Sequence, residues 1–92
     1  MEIVKSPFYN VQLIKRLKII AVDSPNNARK FKKKLDKHIY ELDYMPYKFR
    51  ASYYYDHESI RDLIVQGYTI PYMIDEENKK IIVLDIFKWE ER

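Results

Sequence analysis

Two hydrophobic rhythms divide this chain. Up to about residue 42 the apolar positions recur every three or four residues; from about residue 60 they come in short continuous runs parted by polar gaps. In the first part, Phe8, Val11, Ile14, Leu17 and Ile20 form one stripe, widened by Leu13 and Ile19. That spacing predicts an amphipathic helix ending near Val22. Ser6-Pro7 opens it: serine can cap the first turn, and proline suits a position whose N–H has no helical partner. Ser24-Pro25 repeats the signal, after which Ala28, Phe31, Leu35, Ile39 and Leu42 share one face of a second helix. Met45-Pro46 is expected to end it, because the residue before a proline is pushed out of the α region. Two helices joined at Asp23-Ser24 make a hairpin with a common apolar stripe.

In the second part, three runs rich in Ile, Val, Tyr and Phe occupy residues 60–65, 68–74 and 81–87. Such side chains fit a pleated, half-buried surface. Gln66-Gly67 separates the first two and holds the only glycine of the chain, the residue that readily supplies a positive φ to a tight hairpin. The polar stretch 75–80 separates the second and third. A three-stranded antiparallel meander is predicted, with residues 1–5 as a short edge strand. One face of the meander must be covered, and the helical hairpin is its natural cover. The expected class is α+β: a helical hairpin on one face of a small, three- to four-stranded antiparallel sheet. Pro71 lies inside the second run, so its nitrogen should face away from a partner strand or mark a bulge.

Composition narrows the rest. Ninety-two residues, 47% hydrophobic and 34% charged, suit one small folded domain spanning 1–92 rather than a disordered chain. There is no cysteine, so disulfides, thiolate metal sites and a cysteine nucleophile are excluded. No apolar run approaches the ~20 residues of a membrane span, and the chain reads as cytoplasmic. A net charge of +3 leans modestly toward polyanions or acidic partners. The charge is uneven: Lys30, Lys32, Lys33, Lys34 and Lys37 crowd the second helix, while Asp75, Glu76 and Glu77 crowd a turn. The lysines form either a solvated helix surface or a docking strip.

Taken in order, Ser24-Pro25 with Ala28 and Phe31, then Leu35, Ile39 and Leu42 before Met45-Pro46, then Ile60-Arg61, Leu63, Gly67-Tyr68, Ile70, Tyr72-Met73-Ile74-Asp75 and Ile82-Val83-Leu84, the pattern resembles the RelE/ParE superfamily of bacterial toxins. The resemblance runs from about Ser6 to Trp89. It implies the toxin of a type II toxin–antitoxin system, of the kind linked to plasmid stabilization and growth inhibition. A cognate antitoxin protein would neutralise it in a toxin–antitoxin hetero-oligomer. The target would be DNA gyrase, as for ParE, or mRNA cleaved in the ribosome, as for RelE. Ribonuclease members tend to carry an arginine just after the Gly-Tyr turn, where this chain has Thr69. They also place a His, Arg or Tyr group at the end of the last strand, where this chain has Lys88-Trp89-Glu90. These departures favour the ParE-like action. An inactive member surviving as a binding module is a further alternative.

Were the chain an mRNA endoribonuclease, it would need a base for the 2′-OH, an acid for the leaving oxygen and cations for the phosphorane. Catalytic candidates are Arg50, His57, Arg61 and Lys88. Candidates for binding the target or nucleic acid are Lys48, Tyr54, Trp89 and Arg92, aromatic rings being able to stack on bases. Each has a plainer reading. His57 suits a surface loop, His38 the margin of a helix stripe, and the Tyr53–Tyr54–Tyr55 run can bury its rings with hydroxyls at the rim. Arg61 shares a strand face with Leu63 and Val65, and becomes a rim or ion-pair residue if that face meets the helices. The histidines have no metal-ligand spacing, and neither a metal nor a cofactor is expected.

Overall fold

Ser24 belongs to two helices at once. Its N–H donates to the Ile20 carbonyl at 3.1 Å, closing the first helix, and its Oγ accepts the Asn27 N–H at 3.1 Å, opening the second. Ser6 caps the first in the same way, accepting the Tyr9 N–H at 3.0 Å, and a proline follows each cap. The computed structural model describes residues 1–88. In order these form β1 (Glu2–Lys5), α1 (Pro7–Asp23), α2 (Pro25–Glu41), β2 (Ile60–Val65), β3 (Tyr68–Asp75), β4 (Lys80–Val83) and β5 (Phe87–Lys88). α2 stops short of Met45-Pro46: the Leu42 N–H reaches back only three residues, to Ile39, and the chain tightens into a turn.

The meander is present, with β2, β3 and β4 antiparallel in sequence order. Gln66 (φ 50°) and Gly67 (φ 82°) both lie in the left-handed region, giving β2 and β3 the two-residue turn whose twist matches a hairpin. Two features differ from the expectation. First, β1 joins β4 in parallel, from Glu2↔Lys80 to Lys5↔Val83, so the sheet is mixed. Parallel neighbours need a long crossover, which the helical hairpin and the rest of the meander supply.

Second, the run 81–87 is not one strand. Pro71 sits opposite Asp62, and counting from the turn makes that a pair without mutual hydrogen bonds. The nitrogen of Pro71 therefore faces its other neighbour, and there the ladder breaks. Leu84 still donates to the Pro71 carbonyl at 2.9 Å, but residues 84–86 leave strand geometry before β5 resumes opposite Tyr68 and Thr69.

The core lies between the hairpin and one face of the sheet. Leu63, Val65, Ile70, Tyr72, Ile74, Ile81 and Val83 meet Leu35, Ile39, Leu42 and Phe31, the α2 stripe that periodicity predicts. The α1 stripe is corrected. Phe8, Val11 and Ile14 are 57%, 52% and 52% exposed; Tyr9 and Leu13 are buried, with Leu17 and Ile20 packed beside them. α1 is apolar on two sides, so spacing alone cannot select the one that turns inward. Cap and ion pairs fix the geometry. The Ser6 N–H donates to the Val83 carbonyl at 2.9 Å, and its hydroxyl to that of Leu84 at 3.1 Å. Lys5 meets Asp36 of α2 at 2.9 Å, and Lys32 reaches the other carboxylate oxygen at 2.7 Å.

Candidate functional site

Residues 42–59 carry half of the aromatic and cationic candidates, and the sheet holds them from three directions. Tyr72 donates its hydroxyl to the Pro46 carbonyl at 2.6 Å; burial raises the pKa of that hydroxyl above the ordinary phenol value, so it remains a donor. Arg61 donates through Nη1 to the Phe49 carbonyl (3.0 Å) and through Nε to that of Glu58 (3.1 Å). Along the outer edge of β2, the Asp62 N–H donates to the Arg50 carbonyl at 3.3 Å and the Ser52 N–H to that of Ile60 at 2.8 Å. The segment therefore covers part of an edge that would otherwise offer unpaired backbone groups.

Beyond Ser52 the segment turns onto the sheet face away from the helices. Asp62, buried on that face, accepts the Tyr53 N–H at 3.2 Å and lies 3.6 Å from the Arg50 guanidinium. Arg50 is stacked 4.0 Å above the Tyr53 ring. Tyr54 meets Phe87 edge-on, at a centroid distance of 4.9 Å. Phe87 in turn pairs with Thr69, which is buried. The tyrosine run thus packs its middle ring against the sheet, as one reading of it expected, and leaves Tyr53 outside beside a concavity of about 450 Å³.

Among the described residues, the candidates do not assemble. Arg61 lies on the helix-facing side of β2, the face of Leu63 and Val65, and its guanidinium is committed to two carbonyls and the Tyr47 ring at 5.2 Å. His57 is exposed, and its Nδ1 accepts the Ser59 N–H at 3.1 Å, which leaves the neutral ring its proton on Nε2. Lys48 is exposed over the Phe49 ring at 5.5 Å. Lys88 stands 5.5 Å from the Tyr68 ring, which Arg16 approaches to 5.8 Å. Lys88 pairs with Tyr68 and Arg61 with Tyr72, on opposite sides of β3; four residues along the strand and two strand spacings across it put their backbones ~16 Å apart. Arg50 and Tyr54 belong to the opposite face. Trp89 and Arg92 lie outside the described residues. Among the described residues, no group of His, Cys, Asp or Glu is arranged to hold a metal ion.

Sequence reasoning missed Asp62. Its side chain is fully buried, one oxygen engaged by the Tyr53 N–H and the other without a hydrogen-bond partner among the described residues. The available signal was an acidic residue within a strand of Ile, Leu and Val, pointing away from Leu63. Also unforeseen is an apolar concavity of about 600 Å³ where α2 ends, lined by Leu42, Met45, Phe49, Leu63 and Ile64 with His38 and Lys48 at its margin.

Fold and surface together define a small α+β protein whose candidate cations, among the described residues, lie apart. The sequence matches, over residues 9–92, the family model described as the ParE toxin of the type II toxin–antitoxin system parDE. The chain belongs to the ParE toxin family. A solved structure titled "Chromosomal ParDE TA system from P. aeruginosa" is similar in fold, with a TM-score of 0.78 at 15% identity, covering 96% of this chain and 95% of that one. No curated protein sequence matches the chain.

Proposed function

We propose that this toxin of a type II toxin–antitoxin system stops growth by a ParE-like action on DNA gyrase, and that a cognate antitoxin neutralises it in a cytoplasmic hetero-oligomer. The observation that carries this reading is the commitment of Arg61. An endonuclease needs a cation free to meet a phosphorane that carries extra negative charge. Arg61 instead ties two loop carbonyls, with Lys88 ~16 Å away on the other side of β3. Thr69, standing where ribonuclease members of the superfamily tend to carry arginine, is buried and pairs with Phe87, against which Tyr54 packs. His57 is engaged with Ser59.

A second reading, ribosome-dependent mRNA cleavage, is favoured by one feature: Arg50 stacked on Tyr53 beside Tyr54 presents a cation and a ring on one surface. Inducing the protein while mapping mRNA ends and assaying gyrase supercoiling separates the two. Loss of supercoiling with intact mRNA is the expected result. Codon-phased cleavage abolished by Arg50→Ala or Lys88→Ala overturns it.

A further inference from the structure

Four lysines on the solvent side of α2 have no counter-charge among the described residues. Lys30, Lys33, Lys34 and Lys37 stand at spacings of three and four, opposite the stripe of Phe31, Leu35 and Ile39, and all four are exposed. None is in an ion pair among the described residues. Asp36, the carboxylate nearest to them in sequence, is taken by Lys5 and Lys32. Like charges three and four apart on a helix repel: Lys30 opposes Lys33 and Lys34, and so does Lys37. A polyanion laid along the strip relieves all of these pairs at once.

The surroundings do not oppose such a partner. The four side chains line a shallow concavity of about 490 Å³. Beside Lys30 and Lys34 a second one, of about 470 Å³, reaches the β2–β3 turn and is lined by Asn27, Gln66 and Tyr68 and by no acidic residue among those described. Arg16 and Lys88 both lie within 6 Å of the Tyr68 ring. The acidic turn that follows Asp75 is at the other end of β3, ~23 Å of strand away.

Geometry selects the polyanion. Lys30 to Lys37 spans ~10 Å of helix axis, a length over which one strand of a duplex presents about three phosphates. The strip carries no ring, and a single strand is held largely by rings that stack on its bases. Nor does it carry the apolar and aromatic anchors on which a protein interface depends. Tyr40, past its end, faces the Lys5 ammonium at 5.3 Å.

We propose that Lys30, Lys33, Lys34 and Lys37 seat the phosphate backbone of duplex DNA, without reading its sequence. On the gyrase reading above, that duplex is the one the enzyme holds; the contact itself does not depend on that reading.

The test titrates the whole chain with a short duplex from about 50 mM salt upward. The logarithm of the binding constant should fall against that of the salt concentration with a slope of about −3, set by three phosphates. A duplex of unrelated sequence should bind equally and the single strand more weakly. Lys30→Gln/Lys34→Gln should weaken duplex binding roughly tenfold or more at low salt and flatten the slope by about half. The charge-matched Lys15→Gln/Lys18→Gln, on α1, should keep the parent slope. Glutamine sustains a helix about as well as lysine, so both variants should keep the helical circular-dichroism spectrum. A parent slope near zero, equal losses in the two variants, or preference for the single strand overturns the proposal. So does a loss of gyrase binding without DNA in Lys30→Gln/Lys34→Gln while its duplex affinity is unchanged, which makes the strip a protein contact. A parent chain that binds the duplex as expected yet leaves gyrase supercoiling untouched overturns the gyrase reading alone.

Discussion

Arg61 on β2 and Phe49 in the segment before it are joined by a 3.0 Å hydrogen bond from guanidinium to backbone carbonyl. The same guanidinium reaches Glu58 on the far side of the segment, so one side chain fastens both of its ends. Arg61→Ala should therefore cost about 1–3 kcal/mol, since two carbonyls lose a charged donor. Lysine lacks the fork that spans both acceptors, and Arg61→Lys should restore only part of the loss. Urea unfolding measures the cost, and hydrogen exchange should show faster opening at residues 48–60 with α1 and α2 little changed.

Asp36 gives the fold an acid limit. Burial acts to raise its pKa, but hydrogen bonds from Lys32 and Lys5 together with their charges prevail and hold the carboxyl below the usual range. A carboxyl lowered in the folded state contributes stability that is present above its unfolded pKa and is lost as pH falls through the folded one. Stability of the parent should thus decline below the ordinary aspartate range. In Asp36→Asn this part of the decline should vanish, with lower stability at neutral pH. Denaturant unfolding of both proteins from neutral to acidic pH checks the difference.

The β2–β3 turn carries two left-handed residues, only one of them glycine. A Cβ at Gly67 would meet nothing within 4 Å, so Gly67→Ala is a conformational cost alone, expected at about 1–2 kcal/mol. Gln66 already bears that cost at φ 50°, and Gln66→Gly should return about 0.5–1 kcal/mol. Opposite signs in the two melts are the expected outcome.

Asp62 should behave as a fastener for the tyrosine run. Asp62→Ala leaves the Tyr53 N–H without its acceptor and Arg50 without its carboxylate. The expected cost is about 1–3 kcal/mol. Proteolysis should cut first within residues 50–56, while the tryptic pattern of the helical hairpin stays as in the parent.

How much of this was legible depended on what each segment contrasts with. The α2 stripe reads clearly because charged residues occupy most of the rest of that helix. α1 does not, because Phe8, Val11 and Ile14 compete with Tyr9, Leu13 and Leu17 for the inward side, and only tertiary contacts choose. Gln66-Gly67 announced its turn through backbone chemistry. The parallel partnership of β1 had no local signature, as it joins residues nearly a chain apart. Pro71 was recognisably awkward within a strand, yet the break it permits falls on another strand, at 84–86. At the candidate site, Arg61 was readable as a helix-side residue from its alternation with Leu63 and Val65. The binding of loop carbonyls by its guanidinium was not, since backbone acceptors leave no trace in a sequence.

The pairing of Glu2 with Lys80 also sets a schedule for synthesis. At ribosomal speeds of about 5–20 residues per second, β1 waits several seconds for its neighbour to emerge. During that interval the nascent chain can form its helices but cannot close its sheet. Until residues 80–83 are made, Glu2–Lys5 holds its backbone groups without the neighbour that pairs them.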